Sequence, residues 1–242
     1  MANALSGFAA TLRRLPRWIY AAAALVLAIV FPLLEQAGLM ETLWLRLGTR
    51  TLVYVLLALG LNLVLGETGL LHLGYIAFFA VGAYTTAILS SPRLGYHWNF
   101  WVIIGLAMLL SMIFGFIVGF PTLRLRGDYL AIVTLAFGEI TRITFNNWES
   151  VTNGPGGIPG IYPPSILGWV VDKPIEFYYL LLIAVILVVV VLANVKNSRI
   201  GRAWNALRED EIAANHAGVR SMSAKMLAVV ISSGIAGLAG AI

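Results

Sequence analysis

Seven apolar runs dominate this 242-residue chain, at 18–37, 51–66, 70–89, 100–120, 129–145, 177–195 and 224–242. Crossing a bilayer core of about 30 Å takes roughly 20 helical residues, and most of these runs approach that length. The runs at 51–66 and 129–145 are short for a full crossing. Hydrocarbon offers backbone groups no partner, so a spanning segment must be a helix or part of a closed barrel. The short alternating segments of a barrel are absent. The expectation is an all-α, polytopic transmembrane helical bundle, a single domain over 1–242. Composition agrees: only 11% of residues are charged, where soluble domains carry about 25%.

The basic residues set an orientation. With the N-terminus inside and the runs alternating, Arg13, Arg14, Arg17, Arg124, Arg126, Lys196, Arg199, Arg202, Arg208, Arg220 and Lys225 fall inside. Arg46, Arg50, Arg93 and Lys173 fall outside, and Arg142 lies within the fifth run. The excess of inner charge is the bias expected of inner-membrane proteins, and it weakens if the fifth run does not cross. It also explains the net charge of +5 without nucleic acid. The first run lacks a small-residue cleavage pattern, so it reads as a retained span, not a signal peptide. The last run ends in GIAGLAGAI with no polar exit, the pattern of a chain that continues beyond Ile242.

Within lipid, helices associate through close backbone approach at small residues four apart. Ser111, Gly115 and Gly119 have that spacing, as do Ser233, Gly237 and Ala241. Gly82 with Thr86, and Ala83 with Ala87, repeat it. These faces suit packing within the subunit, and the same motif serves subunit interfaces. Asn62 within its apolar run is expected to bond to a neighbouring helix, and His72 to sit at the membrane interface.

Two features of the fifth run and the loop after it carry chemistry. Glu139 and Arg142 lie three apart, on one face of a helix. Charge near the bilayer centre is expensive, so the two are expected to face protein or water and to pair. They read either as a pathway-lining pair or as a structural pair that holds two helices in register. The loop 146–174 contains TNGPGGIPGIYPP, with Asn153, Gly154, Gly156 and Gly157 at its centre. Glycine permits positive φ and lets backbone N–H groups approach a ligand. The plainer reading is a rigid surface turn, which glycine and proline also make.

The inner loop 197–222 is the longest polar stretch. Asn197 or Ser198 can cap a helix on which Ile200, Ala203, Trp204 and Leu207 form one apolar face. Glu209, Asp210 and Glu211 suit the start of a second helix, where acids meet the positive end of the dipole. Gly218 is a natural stop. A membrane-surface helix would explain the tryptophan and arginines, but the acidic trio fits a protein socket better.

Enzymatic signatures are missing. There is no Gly-x-Ser-x-Gly elbow, no HExxH and no Lys-Ser/Thr after the glycines to make a phosphate loop. The chain has no cysteine, and its histidines, His72, His97 and His216, have no metal-ligand spacing. A transport subunit, a self-sufficient secondary transporter with Glu139 as an ion-linked site, and a scaffold subunit are the readings left.

Three blocks resemble the permease subunits of branched-chain amino acid ABC importers, of the LivM type. They are LNLVLGETGLLHLGYIAFFAVGAY from Leu61, GDYLAIVTLAFGEITRITFNNWESVTNGPGGI from Gly127, and SRIGRAWNALREDEIAANHAGV from Ser198. The third is similar to the coupling loop of ABC importers. Glu211, Ala213, Ala214 and Gly218 match its Glu-Ala-Ala…Gly pattern, with Ile212 inserted. The resemblance implies a multi-pass subunit of a bacterial inner membrane, with its N-terminus cytoplasmic. It implies a second permease subunit, two cytoplasmic ATPase subunits and a periplasmic amino-acid-binding protein as partners. ATP and Mg would sit on the ATPases, with no cofactor on this chain. Arg202, Trp204, Leu207, Arg208, Glu209, Asp210, Glu211, Ala213, Ala214 and Gly218 would form the ATPase-coupling region. Asn153, Gly154, Gly156 and Gly157, with Glu139 and Arg142, would line the pathway or dock the binding protein. Permeases for urea or another small amide are close variants of the same reading, since such chains read substrate weakly.

Overall fold

The computed structural model describes residues 17–38, 41–91, 98–125, 127–166 and 169–242, apart from the side chains at 17, 18, 20, 21, 166 and 169. Arg13, Arg14, Arg93, His97 and Arg126 lie outside the described residues. Most of the described residues are helical. The long helices are α1 (Arg17–Gln36), α2 (Thr42–Asn62), α3 (Ile76–Ser90), α4 (Phe100–Thr122) and α5 (Asp128–Asn147). A single turn, α6 (Glu149–Thr152), leads to the outer loop. Then follow α7 (Pro174–Lys196), the short α8 (Arg199–Glu209) and α9 (Glu211–His216), and the final α10 (Ser221–Ala241). The departure from helix within the outer loop is a small antiparallel pair, β1 (Ser165–Ile166) and β2 (Trp169–Val170), with Ser165 opposite Val170.

Among the described residues four stretches are long and apolar enough to cross a membrane: Thr42–Glu67, α4, α7 and α10. Two more helices are apolar but shorter, and α5, which carries the charges, falls outside that group. Contacts sort the helix ends into two sets. The turn after α2 meets the end of α7 and the α8–α9 segment, through Glu67 with Lys196 and Gly66 with Arg208. At the opposite end Ser90 and Ser91 meet Tyr162 and Pro159 of the outer loop. The same-side groupings expected from the basic residues are therefore kept.

The chain organises around α10. Of its membrane-length window 61% is buried, against 28–33% in the other three candidate spans. Small residues make this possible. Gly237 lies against Ser111 of α4 and Gly82 of α3, Ser233 against Gly115 of α4, and Gly240 against the Phe79 carbonyl of α3. Ser232 donates to the Gly60 carbonyl of α2 at 2.7 Å, and Ser111 donates to the Phe78 carbonyl at 3.1 Å. The small faces on the fourth and last runs thus pack on one another inside the subunit.

Four expectations change. The second helix starts at Thr42, so Arg46 and Arg50 ride on it and do not lie in a loop. The third run is not helical until Ile76. The chain leaves α2 through a π turn at Leu63–Glu67 and runs irregularly to Tyr75, because Gly69 and Gly74 take positions closed to larger residues. A Cβ on Gly74 would lie 2.0 Å from the Thr134 carbonyl oxygen of α5. This dip carries His72 into the core, where it is buried and packs on Phe78 with ring centroids 5.4 Å apart, so it is not interfacial. Asn62 is exposed and lies over Gly66, one turn on in its own segment.

The close packing around α10 makes a direct prediction. A Cβ on Gly82 would sit 2.2 Å from the Gly237 carbonyl oxygen, and backbone cannot step aside. Alanine raises helix propensity by up to about 1 kcal/mol, but overpacking costs about 1–3 kcal/mol, so the clash wins. Gly82→Ala should lower the thermal unfolding temperature in detergent. Gly105→Ala, where a Cβ meets nothing within 4 Å, should not. Equal stability of the two variants would contradict this packing.

Candidate functional site

Two regions hold the residues singled out from the sequence. The first is the inner loop. Ser198 caps α8 by accepting from Ile200 N–H at 3.1 Å, and Asp210 caps α9 by accepting from Ile212 and Ala213 N–H at 2.7 and 3.0 Å. Gly218 ends α9 at φ +88°, with Gly218 N–H on the Asn215 carbonyl and Val219 N–H on the Ala214 carbonyl. That is the double bond of a Schellman stop, which needs a left-handed residue at this position.

The apolar stripe of α8 turns inward. Trp204 is fully buried, packed with Leu63 and Ala228, and its Nε1–H donates to the Ala224 carbonyl of α10 at 2.8 Å. Leu207 is buried beside it, and Ala214 is buried on α9. Charges complete the seat. Glu211 pairs with Lys225 of α10 at 2.6 Å, and Arg208 Nη1 donates to the Gly66 carbonyl at 2.7 Å. Lys196, at the end of α7, pairs with Glu67 at 2.6 Å. The anchoring stripe and three of the polar groups are thus spent on this chain's own helices. What the loop presents outward is Arg202, Glu209, Ala213 and two exposed aliphatic side chains, Ile200 at 40% and Ile212 at 64%.

The second region is a groove between α3 and α5. Its cavity of about 440 Å³ has apolar walls from Leu73, Ile76, Ala80 and Leu135. Tyr84 and Phe145 stack across it with centroids 4.4 Å apart. Glu139 and Arg142 stand on its α5 wall. Arg142 Nε donates to both carboxylate oxygens of Glu139 at 3.0 and 3.1 Å, and Nη2 donates to Oε1 at 2.5 Å. Both partners sit on α5, so the pair does not hold two helices in register. At 1.5 Å rise per residue, Glu139 lies about 16 Å along α5, near mid-membrane depth if that helix spans. Both side chains are more than half exposed on this chain alone.

The glycine loop follows α5 and is seated on its Asn146 end, where the groove's lining stops. Asn153 adopts φ +65° and its amide donates to the Gly157 carbonyl at 2.8 Å. Thr152, fully buried, donates to the Phe145 and Trp148 carbonyls and accepts from Gly154 N–H. Gly154, at φ +58°, is seated against the Asn146 carbonyl. Gly156 faces Asn153, while Gly157 at φ +63° faces open space. Asn153 to Gly157 thus form a self-bonded turn beside the Asn146 end of α5.

The dip after α2 joins the two regions. Gly66 and Glu67 take the contacts from Arg208 and Lys196, and Leu73 N–H, six residues on, donates to Thr134 Oγ1 of α5 at 3.0 Å. Gly74 and Gly138 bring the two backbones together beside the groove. Sequence reading did not pick out Glu67, Lys196 and Lys225 as partners, nor Tyr84 and Phe145 as walls. In the sequence Lys196 and Lys225 count only as topology signals, though acids of opposite sign, Glu67 and Glu211, lie in same-side loops. Among the described residues no group of three or more His, Asp or Glu has metal-binding geometry.

Residues 43–242 match the family described as branched-chain amino acid transport system, permease component. The high-affinity branched-chain amino acid transport system permease protein LivM of Salmonella typhimurium is 40% identical over 92% of this chain, and that of Escherichia coli K12 is equally so. A probable branched-chain amino acid transport permease protein LivM of Methanocaldococcus jannaschii is 31% identical over 67% of it. The chain covers 56% of the first two relatives and 46% of the third, about half their length. No solved structure matches. With the family matched over most of its length, and over both the groove and the inner loop, this chain belongs to the branched-chain amino acid transport permease family.

Proposed function

We propose that this chain is a membrane-spanning subunit of an ATP-driven importer of leucine, isoleucine and valine. It works with a second permease subunit, two cytoplasmic ATPase subunits and a periplasmic binding protein. Family membership supports the cargo class, since the relatives' names carry it. The observation that carries the mechanism is the α8–α9 unit. It is a folded, double-capped module, bolted to α10 and α7, that turns Ile200, Ile212, Arg202 and Glu209 outward. An exposed aliphatic pair ringed by charge is the makeup of a protein docking face, with an apolar centre and polar rim. That face meets the ATPase in the cytoplasm of a bacterium, with the N-terminus on the same side, a reading supported by the inner excess of basic residues.

Coupling then follows from rigidity. ATP and Mg bind the ATPases, and this chain holds neither. Closure of the ATPase pair displaces α8–α9 as a body. Arg208 and Lys196 pass the displacement to Gly66 and Glu67, and the irregular segment 68–75 passes it to α5 and the groove. Glu139 and Arg142 face the water-filled path between the two permease subunits, because lipid would not accept two exposed charges at that depth. The turn Asn153–Gly157 closes the outer mouth, where the binding protein delivers cargo.

Two outcomes check this in the assembled transporter. Ile212→Glu should weaken ATPase association about tenfold or more, with normal levels of this chain, read by co-purification. Unchanged association would remove Ile212 from the interface. Arg208→Met, which cuts the link to Gly66 without touching the outward face, should lower leucine uptake per ATP hydrolysed several-fold in proteoliposomes. An unaltered ratio would show that displacement reaches the groove by another route.

A further inference from the structure

We infer that the Glu139–Arg142 pair is a recognition site for the charged ends of a zwitterionic amino acid, with the apolar groove beside it taking the side chain. The inference rests on the reading that the groove lies on the pathway. Three observations carry it.

The first is the state of the pair. It joins residues one turn apart on α5, so it contributes little to holding the bundle together. Its contacts use Arg142 Nε–H and one hydrogen of Nη2. Of the five N–H groups of a guanidinium, the two on Nη1 and one on Nη2 have no acceptor among the described residues. The Glu139 oxygens likewise retain lone pairs. A carboxylate can therefore lie along the Nη edge while an ammonium meets the Glu139 oxygens, and the pair need not open.

The second is charge balance. Glu139 and Arg142 together are neutral, and so is the backbone portion of an amino acid. Set antiparallel, the two dipoles make a ring of alternating charges. A cation such as an amino-acid amide would satisfy Glu139 and leave nothing for Arg142. An anion such as a 2-oxo acid would do the reverse. Either ligand forfeits one of the two charge-assisted contacts that the zwitterion makes with the pair. Discrimination here comes as much from the misfit as from the fit.

The third is the wall. The side of the groove next to the pair is aliphatic and aromatic, with Ala80 and Tyr84 of α3 facing Leu135 and Phe145 of α5. The volume of about 440 Å³ falls in the range of small-molecule sites, roughly 300–1,000 Å³. Such a wall suits a short branched aliphatic group and rejects a charged one. A urea-like cargo would use neither the charge pair nor the apolar wall.

The chain contains no cysteine, so Ala80→Cys gives its sole thiol, placed on the groove wall. In the assembled transporter, labelling of that thiol by a small polar methanethiosulfonate is followed with three probes. These are leucine, leucinamide and 4-methyl-2-oxopentanoate. Leucine should slow labelling several-fold and the other two should not. The protection should vanish in A80C carrying E139Q and R142Q. Equal protection by all three probes, or protection that survives the double change, would overturn the zwitterion site while leaving the groove on the pathway. Absence of protection by leucine would overturn the pathway reading itself and this inference with it. The three-probe comparison leaves the pair untouched, so it decides the matter even where the double variant fails to assemble.

Discussion

Backbone-to-backbone contact along α10 is the constraint from which the rest follows. Oily side chains gain nothing by leaving lipid for protein, so only close approach and hydrogen bonding draw these helices together. Gly237 lets α3 and α4 touch α10 at once, and Ser232 reaches the Gly60 carbonyl of α2. The same helix begins at the inner loop, where its Ala224 carbonyl takes the Trp204 indole and its Lys225 takes Glu211. One element therefore forms the axis of the bundle and the seat of the module that faces outward. The seat of α8–α9 is the most buried of the four candidate spans among the described residues.

The segment between α2 and α3 plays the complementary part. A continuous helix there would satisfy its own backbone and make few contacts through main-chain groups. The π turn and the irregular stretch to Tyr75 instead expose carbonyls and N–H groups to partners. Gly66 offers its carbonyl to Arg208, and Leu73 its N–H to Thr134. Irregular backbone at membrane depth is tolerated only where protein or a polar cavity surrounds it, and here it runs between the inner loop and the groove. On the proposed function this is where force from the ATPase becomes movement of the pathway wall.

Much of this was legible in the residues. Long apolar runs gave the helices, the small-residue spacings gave the faces that meet, and the capping signals at Ser198, Asp210 and Gly218 gave the inner loop its two helices. The Glu139–Arg142 contact followed from helical spacing. What stayed hidden depended on contacts distant in sequence. Nothing local in LVLGETG says that the turn is a π turn, or that it is held open by Arg208 and Lys196, more than a hundred residues away. His72 was misplaced for the same reason, since the dip that buries it is set by Gly74 meeting α5. Trp204 was visible as part of an apolar stripe, but a stripe does not say whether it faces its own bundle or another protein. The groove was invisible because Tyr84 and Phe145 meet only after α3 and α5 are laid side by side.

The account turns on the α8–α9 module being the cytoplasmic handle of a separate ATPase, and its sidedness and cover can be read together. Glu209→Cys places a single thiol on the outward face of the module. A membrane-impermeant maleimide should label it in inverted vesicles and not in intact cells, and bound ATPase subunits should shield it. Labelling from the external face, or full labelling with the ATPases bound, would contradict the account.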